Sequence, residues 1–240
     1  MGEQVTKCEQ CDLAPIEGCH NGILGMCGTC PRVLELVKSD GCTVEGAGIP
    51  LFYAGRHFEA KNQRLRVIDD AAMQWVNEHR KHPERGLVML GPTGTGKTLL
   101  TCLALESLLR ARVSCLFQGW PELLDEVRAS FAPDSGTSEK EILERLARPS
   151  VLALDDVGAE RVGSSGGEMA EDLLTKILSR RISDRKAVII TTNLSLLEVE
   201  GRYGKRVASR MLEACDLLNF ADVKDYRGSI HTRRQKGAAA

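Results

Sequence analysis

Residues 91–98 read Gly-Pro-Thr-Gly-Thr-Gly-Lys-Thr, which matches the phosphate-loop pattern G-x-x-x-x-G-K-[ST] at every fixed position. The apolar run Leu87-Val88-Met89-Leu90 leads into it and a leucine-rich stretch, residues 99–109, leads out. This is the strand–loop–helix setting that the motif requires. Gly91, Gly94 and Gly96 let the backbone turn inward, so that its N–H groups meet phosphate oxygens with no Cβ in the way. A helix beginning near Lys97 adds the positive end of its dipole. Lys97 is then expected to reach the β- and γ-phosphates, and the Thr98 hydroxyl to ligate Mg²⁺. Gly91, Pro92, Thr93, Gly94, Thr95, Gly96, Lys97 and Thr98 are thus the expected nucleotide-binding residues, and the expected ligand is a nucleoside triphosphate with Mg²⁺.

Two further apolar runs end in polar groups. Val151-Leu152-Ala153-Leu154 leads into Asp155-Asp156, and Ala187-Val188-Ile189-Ile190 leads into Thr191-Thr192-Asn193. Open α/β sheets bind ligands at the carboxyl ends of buried parallel strands, so each run points at the same site. Asp155 is expected to hold Mg²⁺ directly or through water, and Asp156 to orient and polarise the attacking water. Two adjacent carboxylates are costly without a cation, which itself argues for one. Asn193 has two readings: contact with the γ-phosphate or attacking water, or the cap of a helix beginning at Leu194.

The remaining pattern fits a doubly wound parallel sheet with helices on both faces, a three-layer α/β fold. Residues 64–82 carry a helical stripe of Val67, Ile68, Ala71, Ala72, Trp75 and Val76. Residues 113–117 read as a second strand, Pro121 as the first turn of a helix running to Phe131, and Ser138 with Glu141 as a capping box. After Asn193, 47 residues remain, which is room for one or two helices and a last strand near Leu217–Phe220, with little for a helical lid.

The first 31 residues are a different kind of sequence. Cys8-Glu9-Gln10-Cys11 and Cys27-Gly28-Thr29-Cys30 enclose fifteen residues, the spacing of a four-cysteine zinc site. Cys8, Cys11, Cys27 and Cys30 are the expected Zn²⁺ ligands, with Cys19 and His20 as alternatives for one of them. Four protein ligands make such a site structural. We therefore expect a zinc-binding module over residues 1–45, a linker over 46–64 in which Leu51, Phe52, Tyr53 and Phe58 anchor onto the next domain, and a nucleotide domain over 65–240. Composition excludes several alternatives. Net charge is −1, so no global field demands a nucleic acid, and no apolar run is long enough to span a membrane. With no signal sequence and reduced-thiol cysteine usage, the chain reads as cytoplasmic.

Over residues 50–230 these motifs resemble the AAA+ P-loop ATPases, specifically the bacterial and phage helicase loaders related to DnaC and DnaI. The phosphate loop, Leu154-Asp155-Asp156-Val157-Gly158 and Thr191-Thr192-Asn193 carry the broad likeness. The run from Tyr203 to Met211, Tyr-Gly-Lys-Arg-Val-Ala-Ser-Arg-Met, resembles the loaders' arginine-finger segment, and Asp225-Tyr226-Arg227 their basic C-terminal sensor.

The resemblance implies ATP as the nucleotide, weak or stimulated hydrolysis, and a homo-oligomer with ATP between subunits. Arg206 would be the finger, with Arg210 as competitor, and Arg227 would sense phosphate. It also implies that residues 1–45 grip the replicative DNA helicase. The helix from Trp120 to Phe131 would meet single-stranded DNA; Arg128 and the basic residues Lys224, Arg227, Arg233, Arg234 and Lys236 are candidate phosphate contacts, with a solvated or disordered tail as the alternative for the last three. Asp156 stands where many AAA+ proteins have glutamate, and the shorter side chain implies slow or conditional hydrolysis. IstB-like ATPases that activate transposases share nearly the same core and are the alternative; the cysteine-rich head favours the loader. A phosphotransferase would need an acceptor site and lid that nothing after Asn193 resembles.

Overall fold

Five apolar runs separated by amphipathic segments can bury both faces of their strands only if helices lie on each side. The computed structural model describes residues 46–223 and 225, except 55, 57, 59, 61, 133 and 161–165. Its elements, in chain order, are α1 (Gln63–Glu78), β1 (Gly86–Leu90), α2 (Lys97–Arg110), β2 (Cys115–Gly119), α3 (Trp120–Ser130) and α4 (Glu139–Ala147), then β3 (Val151–Val157), α5 (Gly166–Ser183), β4 (Ala187–Thr192), α6 (Leu196–Ala214) and β5 (Cys215–Asn219). The strands are all parallel, in the order β2-β3-β4-β1-β5. That order sets β3, β4 and β1 side by side. These are the three strands whose carboxyl ends carry the acids, the Thr-Thr-Asn run and the phosphate loop.

Strand alternation divides the core in two. Val88, Leu90, Leu152, Leu154, Val188 and Ile190 pack with α3, α4, α5 and α6 on one face. Leu87, Met89, Ala153 and Ile189 pack with α1 and α2 on the other. The expected three-layer α/β arrangement is therefore present. The expected zinc ligands Cys8, Cys11, Cys27 and Cys30, with the alternatives Cys19 and His20, lie outside the described residues, and no helix among the described residues is long and apolar enough to cross a membrane.

Several local expectations need adjustment. Val67 is half exposed, and Leu65 and Met73 complete the buried stripe of α1 instead, because docking onto α2 sets the rotation of the helix. The second strand begins at Cys115, after Arg112 turns the chain with a left-handed φ of 59°. Leu51 and Phe52 are exposed, while Ala47 and Ile49 are buried and Tyr53 and Phe58 pack beside them. The anchor of this segment is backbone as much as side chain: Phe117 N–H donates to the Ala47 carbonyl (2.6 Å), which covers the β2 edge. The 18-residue α5, whose buried residues include Ala170, Leu173, Leu174, Ile177 and Leu178, was not anticipated from the sequence. The expected capping box at Ser138 and Glu141 is present.

Away from the strand ends that carry the chemistry, Arg181 of α5 is 2% exposed, and burial pushes its pKa down to about 10, so it stays ionised at neutral pH. Its guanidinium donates to the carbonyls of Leu146, Pro149, Ser150 and Ala187, at 2.6–3.1 Å. A single planar fork thereby ties the end of α4, the turn into β3 and the start of β4. Arg181→Lys keeps the charge but cannot span these carbonyls. It is expected to lower unfolding stability by about 2–3 kcal/mol, because buried acceptors lose their donors. The urea midpoint of the two proteins measures this.

Candidate functional site

The phosphate loop follows directly from β1, and its glycines adopt conformations that other residues resist. Gly94 has φ +74°, and a Cβ there would collide with the Asp225 carboxylate; Gly96 has φ +98° and meets the Phe58 ring. The loop is drawn together by Lys97. Its Nζ donates to the carbonyls of Gly91 (2.6 Å) and Pro92 (2.7 Å) and to Asn193 Oδ1 (2.9 Å), while Thr95 Oγ1 donates to Pro92 O (3.0 Å).

Helix α2 has Gly96 as its N-cap and no side-chain capping bond there. In contrast, α4 and α6 both start with complete capping boxes, Ser138 with Glu141 and Ser195 with Glu198. A glycine at the N-cap offers the first turn no side chain, and a helix N-terminus of this kind suits phosphate.

The acids come from β3. Asp155 is 7% exposed and receives two hydroxyls: Thr98 Oγ1 at 3.0 Å on one oxygen and Thr191 Oγ1 at 2.7 Å on the other. Burial is the largest effect on its carboxyl, pushing the pKa up to about 6; Asp156 pushes it the same way, and the two hydroxyls and Lys97 oppose this. A carboxylate held this deep gains by having a cation beside it. Thr98 and Asp155, already hydrogen-bonded to each other, fit a divalent ion held together with phosphate and water. Among the described residues no three His, Cys, Asp or Glu side chains cluster as a metal cage.

Consecutive strand residues normally point to opposite faces. Here a bulge intervenes: Leu154 pairs with Ile190 but Val157 pairs with Thr192, which leaves one extra residue on β3. Asp156 takes the left-handed φ of 58° at this bulge, a region that Asp tolerates. Its N–H donates to Thr191 Oγ1 (2.8 Å). As a result Asp155 and Asp156 line the same cavity of about 400 Å³, together with Tyr53, Thr98, Gln118 and Glu122. A larger groove of about 870 Å³ between α4 and α5 is remote from these strand ends and contains none of the expected site residues.

Asn193 is not a helix cap, since Ser195 caps α6 and Asn193 instead meets Lys97. Arg206 is exposed and makes no ion pair with the described residues, whereas Arg210 pairs with Glu213 at 3.1 Å. Both follow a kink in α6 at Gly204. Trp120 is wholly buried and so unavailable for base stacking, and Arg128 pairs with Asp125 at 2.7 Å; Phe131 is exposed at the end of α3. Arg227, Lys224, Arg233, Arg234 and Lys236 lie outside the described residues. Thr191 was missed as a residue that orients both acids. Its signal is a hydroxyl in the β4 run, buried and one position short of the strand end.

The Asp155 carboxyl has an ordinary pKa of 3.8 and a folded value of about 6, so the folded protein binds this proton more tightly than the unfolded chain. Ionised Asp155 therefore costs stability above pH 6, and the cost fades as pH falls from 6 to below 3.8. Without divalent ions, Asp155→Asn is expected to exceed the wild type in stability by about 2–3 kcal/mol at pH 8, with no advantage near pH 4. Urea unfolding in a chelator across this range measures the difference.

With this geometry in view, likenesses to known proteins acquire meaning. The profile of the IstB-like ATP binding protein family matches residues 56–237. The replicative helicase loader DnaC of Escherichia coli K12 is 24% identical over 180 residues, covering 72% of this chain and 71% of DnaC. An ATP-binding protein of insertion sequence IS1162 from Pseudomonas fluorescens is 28% identical over 146 residues, 58% of each chain. A crystal structure of the DnaC helicase loader superposes with a TM-score of 0.59 at 26% identity, covering 70% of this chain and 94% of that one. The chain belongs to the family of IstB-like ATP binding proteins and is a DnaC-like AAA+ member of it.

Proposed function

We propose that this protein is an ATP-dependent helicase loader, which binds the replicative DNA helicase and helps place it on single-stranded DNA. The observation that carries the reading is the meeting of Lys97, Thr98, Asp155 and Asn193 at the ends of three adjacent strands, in a chain similar to DnaC over 72% of its length. The loop 91–98 binds the phosphates of ATP. Lys97 exchanges its loop carbonyls for phosphate oxygens, and Asn193, its present partner, is placed to follow the γ-phosphate. Thr98 and Asp155 would hold Mg²⁺, which would supply charge neutralisation to the phosphates. Asp156 orients the attacking water, and its short side chain suits slow, conditional hydrolysis.

Arg206, free of ion pairs among the described residues, acts as an arginine finger on ATP bound by a neighbouring copy, and Arg227 senses phosphate. Such fingers contribute roughly 10³–10⁵ in rate. Residues 1–45 fold around Zn²⁺ on Cys8, Cys11, Cys27 and Cys30 and grip the helicase. Single-stranded DNA runs past Arg128 and the exposed Phe131. The likeness to the IS1162 protein supports a second reading, in which the same ATPase activates a transposase.

Lys97→Ala is expected to abolish ATP binding, while Arg206→Ala retains it and loses hydrolysis in assemblies; equilibrium binding beside steady-state turnover separates the two. Purified protein is expected to carry about one zinc per chain by elemental analysis. Removing residues 1–45 should abolish both the zinc and capture of the host's replicative helicase, with ATP affinity intact. Helicase capture that survives this truncation, or transposase stimulation in its place, overturns the loader assignment.

A further inference from the structure

Beyond the acids, β3 continues into a short loop that is bound tightly to itself and to α6. Ala159 N–H donates to the Asp156 carbonyl (3.0 Å), and Gly158 N–H to Glu160 Oε2 (3.1 Å). The Glu160 side chain is 7% exposed. Its other oxygen accepts from Arg202 Nε (3.1 Å) and from the Tyr203 hydroxyl, and its backbone carbonyl accepts from Arg202 Nη2. Tyr203 is wholly buried and stands edge-on to Trp120, the first residue of α3.

The next residue of α6 is its kink. Gly204 has φ +78° and ψ 161°, and a Cβ there would meet Glu171 of α5 at 2.8 Å. Arg206 follows two positions later. The half of α6 before the kink is thus hydrogen-bonded to the acid loop, and the half after it carries the proposed finger.

We propose that Glu160 is a positioning residue that sets the direction of the Arg206 half-helix according to the state of its own subunit's acid loop. A shift of Asp156 on meeting nucleotide moves the 156–160 turn. Glu160 transmits it to Arg202 and Tyr203, and Gly204 converts it into a new angle for Arg206. Each subunit's finger then reports its own nucleotide state to its neighbour. The inference rests on the in-trans role proposed for Arg206.

The test uses a full-length donor chain, Asp156→Asn, which keeps the side-chain size and the nucleotide loop, binds ATP without hydrolysing it, and so contributes only its finger. In an equimolar mixture with wild type, half of the intact sites face a donor. Adding Arg206→Ala to the donor should lower the hydrolysis rate to about half that of the Asp156→Asn mixture, because a finger is worth orders of magnitude in rate. Adding Glu160→Ala to the donor should do the same, with donor incorporation unchanged by size-exclusion chromatography. In an otherwise wild-type chain, Glu160→Gln should keep ATP affinity and lower kcat.

If Arg206→Ala halves the rate and Glu160→Ala does not, the positioning role is wrong and the finger stands. If neither changes the rate, the finger reading fails and this proposal fails with it. Arg202→Ala, at a partly exposed side chain, breaks the same link should Glu160→Ala not fold, and an undiminished rate with that donor likewise overturns the proposal.

Discussion

The buried carboxylate of Asp155 governs how the rest of this site is built. A charge that deep at a strand end is tolerable only with donors around it and a cation in prospect, and the neighbouring elements supply both. Thr191 reaches it from β4, Thr98 from the first turn of α2, and Lys97 lies close enough to favour its ionised form. The parallel order β3-β4-β1 is what allows three strands, distant in sequence, to meet around one carboxyl group. Two hydroxyls meet an acid of raised pKa here, and a metal–nucleotide beside it would complete the charge balance.

The same region bears the two backbone distortions that matter most. The bulge at Asp156 turns both acids into one cavity, and the kink at Gly204 redirects the helix that carries Arg206. Both are conformations that regular strand and helix geometry would not produce. Backbone of this kind persists only where its surroundings over-determine it. Thr191 holds the first through the Asp156 N–H, and Glu160, Arg202 and Tyr203 brace the chain on the near side of the second.

Much of the site was legible because local chemistry dictated it. A phosphate loop needs its glycines, lysine and threonine in consecutive order, and a buried strand that ends in acids or an amide announces itself by the abrupt change in polarity. The boundaries of β1 and the two acids needed no tertiary information. Asn193 could not be resolved in this way. An asparagine after a strand caps a helix or serves a ligand with equal propriety, and the choice fell to Ser195 being two residues further on and better placed. Arg206 and Arg210 likewise differ in surroundings only once the chain is folded, where Glu213 pairs with Arg210.

What the amino-acid sequence determined alone was the set of contiguous devices: loop, strand ends, capping boxes and the alternation that makes a layered parallel sheet. These depend on neighbours within a few residues, where chain geometry fixes the distances. The tertiary structure decided the contacts between residues tens of positions apart: Lys97 with Asn193, Asp155 with Thr191, Glu160 with Arg202, and Arg181 with the carbonyls of Leu146, Pro149 and Ser150. A lone Thr or Glu looks alike on a solvated surface and in a buried network. Only burial and the direction of its hydrogen bonds separate the two, and both arise when the sheet and its helices close around it.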